Sequence, residues 1–297
     1  MYKNKKQAYL FLLPVFIFMF LFLLFPFLVN VKNSFFDIKN VFDIKGTFVG
    51  INNYVDVFKD QKFHNALINT SILMILVIVF QVGFALVLAL LVNRVSKLQT
   101  FYKVSYFIPI IISGAAIGLM FSMFYRWSPN PAKNGAINQL LMLLNKEPVK
   151  WISSDQGAKV VLLAVSIPVV WQYIGFYFVI FLTGLTTISN ELLEASSIDG
   201  ATELQKVFKI EIPLLQNIIR VVVVLAITGT LKVFDLPFIL NEQAWPNHKN
   251  FFLGTLLNYT RNYDAIGKAA AFAVILVLFG VLLSAISNII FKQNDDI

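Results

Sequence analysis

Long apolar blocks alternate with shorter polar segments along the whole chain. Six of these blocks reach the roughly 20 apolar residues that a helix needs to cross the hydrocarbon core of a bilayer. Each block is apolar on every face, as helices buried in lipid or in a helix bundle are. The pattern therefore predicts six transmembrane helices, at about residues 8–31, 66–92, 101–125, 160–182, 214–231 and 269–291.

The first block follows a basic N-terminus, as the apolar stretch of a signal peptide also would. Its apolar run is too long for an ordinary signal peptide, and no A-x-A-like cleavage site follows it. We therefore expect a helix that is retained in the protein, with Pro14 and Pro26 near its ends.

One segment in the second half, Glu191 to Pro213, combines charged residues with a helical apolar pattern. Ser189 or Asn190 is suited to cap a first short helix, and Gly200 permits a sharp change of direction after it. Asp199 or Thr202 can cap a second helix, and Pro213 suits the first turn of the helix that follows. The apolar face of the second helix is formed by Leu204, Val207, Phe208 and Ile212.

Composition agrees with a membrane protein. Of the 297 residues, 58% are hydrophobic and 13% are charged, whereas soluble domains carry about 25% charged residues. The mean hydropathy is +0.75, and the absence of cysteine excludes disulfides and thiolate metal sites. The fold class is therefore predicted to be an all-α, multi-pass membrane protein that forms a single domain.

The net charge of +8 would also suit a nucleic-acid-binding protein. In membrane proteins, however, Lys and Arg collect in cytoplasmic loops, so we expect no nucleic-acid partner. The N-terminus and the short loop after the second block are the two densest basic stretches. The resulting topology has cytoplasmic N- and C-termini and a cytoplasmic segment at Glu191 to Pro213. The basic residues concerned are Lys3, Lys5, Lys6, Arg94, Lys97 and Lys103.

Catalysis by this chain is not expected. His64 and His248 are the only histidines, and neither lies near a carboxylate at a metal-ligand spacing. The sequence contains no G-x-S-x-G, H-E-x-x-H or G-x-x-x-x-G-K-[ST] motif. We therefore predict no catalytic residue, no metal site and no ATP-binding loop.

Polar residues within the apolar blocks are the candidate substrate contacts, because placing them in lipid is unfavourable. Amide hydrogen bonds combined with aromatic stacking suit a sugar, although packing between helices is the alternative for each residue. The stretch from Pro168 to Gly175 is further expected to break the fourth helix and expose its backbone to a cavity. The candidates of this type are Gln81, Trp171, Gln172, Tyr173 and Phe176.

Lys232 and Asp235 are two further candidates, near the end of the fifth block. Their i, i+3 spacing would allow an ion pair on a helix. Both a gating role and a simple interface charge stay open for this pair.

The segment from Glu191 to Pro213 has two interpretations. It is either an amphipathic loop on the membrane surface or a docking element for a protein partner. The small residues Ala195, Ser196 and Ala201 favour docking, because they let a partner approach the backbone closely.

Within this segment, EASSIDGA (Glu194 to Ala201) is followed after eleven residues by Pro213. This run resembles the EAA loop of ABC importer permeases, which reads EAA, then DGA three residues later, then an apolar helix that ends in proline. Ser196 departs from the pattern, because alanine is usual at that place, but it is still small.

The resemblance extends over nearly the whole chain and is strongest to MalF/UgpA-like permeases of carbohydrate importers. One departure is the stretch from Asn241 to Pro246, where family members often have a glycine-rich turn. The similar stretches are VGINNYVDVFKDQKFHNALINTSI (49–72), SYFIPIIISG (105–114), LKVFDLPFIL (231–240) and YDAIGKAAAFAVIL (263–276).

The resemblance implies a permease subunit with six transmembrane helices in the plasma membrane of a prokaryote. Its implied partners are a cytosolic ABC ATPase dimer, a second homologous permease, an extracytoplasmic sugar-binding protein and membrane lipid. ATP and magnesium would be bound by the ATPase and no cofactor by this chain. The cargo would be a carbohydrate, with an oligosaccharide expected.

In the family, the EAA loop inserts as a coupling helix into a cleft of the ATPase. By residue match, the implied ATPase-docking set is Glu194, Ala195, Asp199, Gly200 and Ala201, with Leu204 and Phe208 as packing support.

Two rival functions follow from a multi-pass fold. A self-sufficient secondary transporter or channel for a small polar solute would need ionisable residues at mid-membrane, and the six blocks contain almost none. A membrane-embedded enzyme would need a catalytic constellation, which the sequence does not show. The particular sugar, and the subunit that holds it, are left open by the sequence.

Overall fold

The computed structural model describes residues 5–39, 43, 46–95, 98–153, 158–241 and 252–290. These residues are mostly helical. They divide into two compact units, one within Met1–Phe63 and Leu256–Phe279 and the other within His64–Thr255 and Gly280–Ile297. Of the stretch from Asn241 to Pro246 only Asn241 is described, and His248 lies outside the described residues.

The first unit begins with one long helical segment that is interrupted by a π-helical turn at Phe20–Leu24. The span Phe11–Asn33 has no buried side chain in its most apolar window, so its aliphatic and aromatic residues are available to lipid. A short antiparallel pair and a helix follow. The elements are α1 (Lys5–Met19), α2 (Phe25–Asn33), β1 (Phe36–Asp37), β2 (Thr47–Phe48) and α3 (Asn52–Lys59).

A buried amide holds the non-helical part of the first unit together. The side-chain amide of Asn53 donates to the carbonyls of Ser34 and Phe36, both at 2.9 Å. An ion pair of 2.9 Å joins Lys268 and Asp60. Burial opposes ionisation of Asp60, but the hydrogen bond and charge of Lys268 hold its pKa below the ordinary value.

The second unit is built around one central helix, α9. Phe178, Phe181 and Leu182 of this helix are completely buried against neighbouring helices. A π-helical turn at Val77–Val82 separates the two helices of the second block. Continuing along the chain, the helices are α4 (Gln61–Leu76), α5 (Gly83–Asn93), α6 (Gln99–Ile111), α7 (Gly114–Phe124), α8 (Ala136–Leu143), α9 (Ala158–Leu185), α10 (Asn190–Ile198), α11 (Glu203–Lys206), α12 (Ile212–Leu214), α13 (Gln216–Leu231), α14 (Asp235–Asn241), α15 (Leu253–Tyr259) and α16 (Ile266–Ile290). The end of α15 and the first part of α16, up to Phe279, belong to the first unit.

Five helices in the described part of the chain are long and apolar enough to cross a membrane. They fall on five of the six predicted blocks, and most extend a few residues beyond the predicted bounds. The spans are Phe11–Asn33, Gln61–Asn93, Lys159–Leu185, Gln216–Leu240 and Ile266–Ile290.

The prediction of a single helix at residues 101–125 is wrong. The block forms α6 and α7, which meet at an angle of 90°, and the count of spans is six only if this bent pair is one span. Two of the backbone groups at the break have side-chain partners. Ser113 caps α7 by accepting a hydrogen bond from the Ala116 amide at 3.2 Å, and Gln172 donates to the Ile112 carbonyl at 3.2 Å.

The predicted break in the fourth block is also absent, because α9 runs through Pro168 and Gly175 without interruption. Gly175 serves a different purpose. A Cβ atom at this position would lie 1.7 Å from the carbonyl oxygen of Tyr106 on α6. The glycine therefore allows close contact between the backbones of α6 and α9.

A different interruption lies in the fifth span, where residues 232–234 belong to neither α13 nor α14. The i, i+3 ion pair expected for Lys232 and Asp235 does not form in the described structure, because the two residues are not on one continuous helix. Asp235 instead lies in the first turn of α14, where the helix dipole favours a negative charge.

Candidate functional site

A cavity of about 380 Å³ opens within the second unit. Its walls are formed by α9, α13, the start of α14 and the π-helical turn of the second span. The polar residues that line it are Gln81, Gln172, Tyr173, Tyr177, Thr228, Thr230, Lys232 and Asp235.

Six of the seven substrate candidates identified in the sequence line this one cavity. They are Gln81, Gln172, Tyr173, Phe176, Lys232 and Asp235. Trp171 does not line it, and its ring instead packs near Phe121, with the centroids 6.0 Å apart.

The two glutamines of the cavity differ in their hydrogen bonding. Gln172 is engaged with the carbonyl at the break between α6 and α7. Gln81 is 2% exposed, and its side-chain amide has no hydrogen-bond partner among the described residues. It lies in the π-helical turn of the second span, a distortion that often marks functional sites. Since Gln81 lines the cavity, its amide is available to a ligand that enters there.

Sequence reasoning missed Tyr177, Thr228 and Thr230. The two threonines lie on α13, and their hydroxyls donate to the carbonyls of Val224 and Ala226 at 2.9 and 2.7 Å. The sequence did contain one sign of them, because they are two residues apart near the end of a mostly aliphatic stretch. With one Lys and one Asp, the lining of the cavity carries no net formal charge.

The second candidate region is the segment at residues 191–213, which we call the EAA segment. Ser189 precedes α10 as its N-cap residue without a side-chain hydrogen bond. The chain then turns at Gly200, whose φ of +80° lies in the region that favours glycine. Thr202 caps α11 and forms a capping box with Gln205. Pro213 lies in the first turn of α12.

The implied docking residues form an accessible surface. All of Glu194, Ala195, Asp199 and Gly200 are exposed, and Ala201 is half-buried. Leu204 and Phe208 are 70% and 66% exposed, so they do not pack within the described part of this chain. Of the other two face residues, Val207 and Ile212, Val207 packs against the core.

Ser196, which stands where the EAA pattern usually has alanine, adds no unpaired hydroxyl donor to this surface. Its hydroxyl donates to the carbonyl of Leu193 at 2.8 Å. A surface that approaches this position therefore meets a small side chain whose donor is already used.

Arg94 joins the EAA segment to the second span, a role that sequence reasoning did not identify. It is the C-terminal cap of α5, and its Nη1 donates to the Leu90 carbonyl at 2.8 Å. Its Nε donates to Glu203 at 3.3 Å and its Nη2 to Glu211 at 3.2 Å. We call these three charged residues the Arg94 clamp.

Glu203 is the exposed arm of the clamp, and the positive charges beside it change its pKa. Hydrogen bonds from Lys206, at 2.6 Å, and from Arg94 lower the pKa of Glu203. Since a lowered carboxyl pKa stabilises the folded state only while the group is ionised, this contribution is present above the ordinary value of 4.5 and is lost at lower pH.

Comparison with known proteins identifies the family. The chain is 32% identical to the probable ABC transporter permease protein YurN of Bacillus subtilis, over 99% of both chains. It belongs to the ABC transporter permeases. This permease is also 30% identical to the multiple sugar-binding transport system permease protein MsmF of Streptococcus mutans, over 94% of its own length and 93% of that of MsmF.

The fold of this permease agrees with a solved structure. It matches a chain of a bacterial alginate ABC transporter, in complex with an alginate pentasaccharide-bound periplasmic protein, with a TM-score of 0.79. The identity is 21%, and the match covers 96% of this permease and 94% of that chain. No protein-family model matches the sequence.

Proposed function

We propose that this permease forms half of the translocation pathway of an ATP-driven carbohydrate importer. The observation that carries the proposal is the cavity itself, which Gln81, Gln172 and two tyrosines line. Sugar hydroxyls both donate and accept hydrogen bonds, so they can satisfy an amide, while the apolar faces of a sugar ring suit aromatic side chains. The sugar-transport relative MsmF supports the same cargo class.

The EAA segment is the proposed contact with the ATPase, and Glu194, Ala195, Asp199, Gly200 and Ala201 are its docking residues. In this proposal α6 and α7 together make one of six crossings, and both termini lie in the cytoplasm. A second permease completes the pathway, and an extracytoplasmic binding protein delivers the sugar. ATP and magnesium are held by the ATPase, so this chain supplies no catalytic group.

A secondary transporter is the competing function. Ion coupling would require an ionisable group deep in a span. Lys232 and Asp235 line the cavity within the span Gln216–Leu240, so the charged residues alone do not decide between the two functions. The relatives, which are ABC transporter permeases, favour the ATP-driven pathway.

The test is purification of the tagged permease from its own cells, followed by reconstitution in proteoliposomes. We expect an ATPase, a second permease and a binding protein to purify with it, and uptake of a sugar to require ATP. Uptake driven by an ion gradient without an ATPase would instead establish the secondary transporter.

Replacing Gln81 with leucine should raise the sugar concentration for half-maximal uptake by about tenfold, because one polar interaction with the ligand is lost. The membrane content of the protein should stay unchanged, since leucine fills a similar volume and Gln81 makes no hydrogen bond within the described part of the chain. Val79→Leu, in the same π-helical turn but 56% exposed, is the matched control and should behave as the wild type. Equal sugar dependence in all three proteins would show that Gln81 does not contact the sugar.

A further inference from the structure

We propose that Arg94 is a positioning residue that couples the EAA segment to the second span, so that movement of the segment is transmitted toward Gln81. The inference rests on the proposed function and adds a defined mechanical connection within this chain. The contacts of the Arg94 clamp carry it.

Every nitrogen of the Arg94 guanidinium has an acceptor. Two nitrogens reach carboxylates of the EAA segment, and the third holds the last turn of α5 through the Leu90 carbonyl. A lysine could not reproduce this geometry, because its ammonium is a single point charge rather than a planar fork. The clamp therefore fixes both the distance and the orientation between α5 and the segment.

Glu211 is the buried arm of the clamp, with 4% of its side chain exposed. A carboxylate at such a place requires a cationic partner, because an unpaired buried charge is strongly destabilising. An apolar residue in its place would give a stable structure without any ion pair. The buried pair is therefore better explained by the orientation that it imposes on α5 and the EAA segment than by a gain in the stability of the fold.

The position of Glu211 strengthens this connection. It ends a π-helical turn at Val207–Glu211 and lies two residues before Pro213, where the segment passes into α12 and α13. α13 lines the cavity with Thr228 and Thr230, and the second span lines it with Gln81. The clamp joins Glu211, just before α12 and α13, to Arg94 at the end of the second span. It therefore connects the two helices that form these walls.

α5 connects the clamp to the cavity wall that contains Gln81. Gln81 precedes Arg94 by 13 residues on the span Gln61–Asn93, a distance of about 20 Å along a helix. The regular backbone hydrogen bonds of α5 run from Gly83 to Asn93, directly next to the π-helical turn that holds Gln81. Displacement of the EAA segment is therefore carried along α5 to that turn.

The test uses the assembled transporter in proteoliposomes with variants of similar shape. Arg94→Gln and Glu211→Gln should each lower uptake at least tenfold while ATP hydrolysis continues, since docking of the ATPase is left intact. The charge swap that combines Arg94→Glu with Glu211→Arg should recover part of the uptake, which either single swap alone should not. Glu203→Gln removes only the exposed arm of the clamp, and its uptake should fall less than threefold.

A second measurement does not depend on transport. Because the sequence contains no cysteine, spin labels can be placed specifically at Leu91→Cys and Ser197→Cys, which are both exposed. We expect a narrow distance distribution between the labels in the wild type, a broad one in Arg94→Gln and a narrow one again in the charge swap.

An unchanged distribution in Arg94→Gln would overturn the proposal, as would unimpaired uptake in that variant or a parallel loss of uptake and ATP hydrolysis. Failure of the proposed function has a different signature. In that case no ATPase purifies with the wild type and no sugar is imported, while the label distances still report whether the clamp holds the segment.

Discussion

Replacement of Gly200 by valine is expected to abolish uptake while the permease remains in the membrane at wild-type amounts. The φ of +80° at this residue is accessible to glycine and unfavourable for a β-branched residue. No atom lies within 4 Å of a Cβ placed there, so the effect acts through the backbone alone. The turn would rearrange and α10 would be presented to the ATPase at a different angle. Uptake in proteoliposomes should fall more than tenfold, and immunoblots of membranes should not change.

Two control variants separate backbone conformation from side-chain bulk. Gly200→Asn should retain most of the uptake, because asparagine tolerates this region of backbone conformation better than other residues. Gly83→Ala should match the wild type, since its Cβ would also meet no atom within 4 Å and its φ is ordinary. Normal uptake by Gly200→Val would mean that the geometry of this turn does not matter for coupling.

The second large effect concerns the fold itself. Gly175→Ala should destabilise the protein by more than about 3 kcal/mol, because the added methyl group would force α6 and α9 apart. Its Cβ would lie 1.7 Å from the Tyr106 carbonyl oxygen and 2.3 Å from the Tyr106 carbonyl carbon. We expect a sharply reduced yield from membranes and a lower thermal unfolding temperature of the purified protein.

Gly229→Ala is the corresponding control on another span, because no atom lies within 4 Å of its Cβ. It should unfold at the wild-type temperature. Should Gly175→Ala unfold at that temperature as well, close backbone contact between α6 and α9 would not be required for stability.

The apolar blocks predicted most of the helices because burial of whole helices in lipid leaves a strong and local signal. The bend in the third block was missed, although Ser113 and Gly114 form a recognisable helix start within it. In the stretch from Pro168 to Gly175 the error was the opposite one, because a break was predicted and the helix is continuous. Close contact with another helix, which no local pattern reports, is the reason for its glycine.

The cavity candidates were found because a polar residue within an apolar block is conspicuous in the sequence. Gln81 and Gln172 looked equivalent there, and only the tertiary structure separates the amide that has a partner from the one that lacks it. The Arg94 clamp could not be predicted, since Arg94 and Glu211 are 117 residues apart in the chain. Positive charge at the end of a span has an ordinary explanation in membrane topology, and this hid the role of Arg94.

The π-helical turn in the second span has a consequence for the evolution of this chain. Such a turn arises when one residue is inserted into an α-helix, and each inserted residue rotates the following part of the helix by about 100°. Deleting one residue between Val77 and Val82 would therefore restore a regular helix and redirect the side chains on one side of the deletion. Relatives with and without the extra residue would share the same membrane crossing and differ in the side chain that faces the cavity. Insertion or deletion at this turn is thus a single-step way to change which side chain lines the cavity.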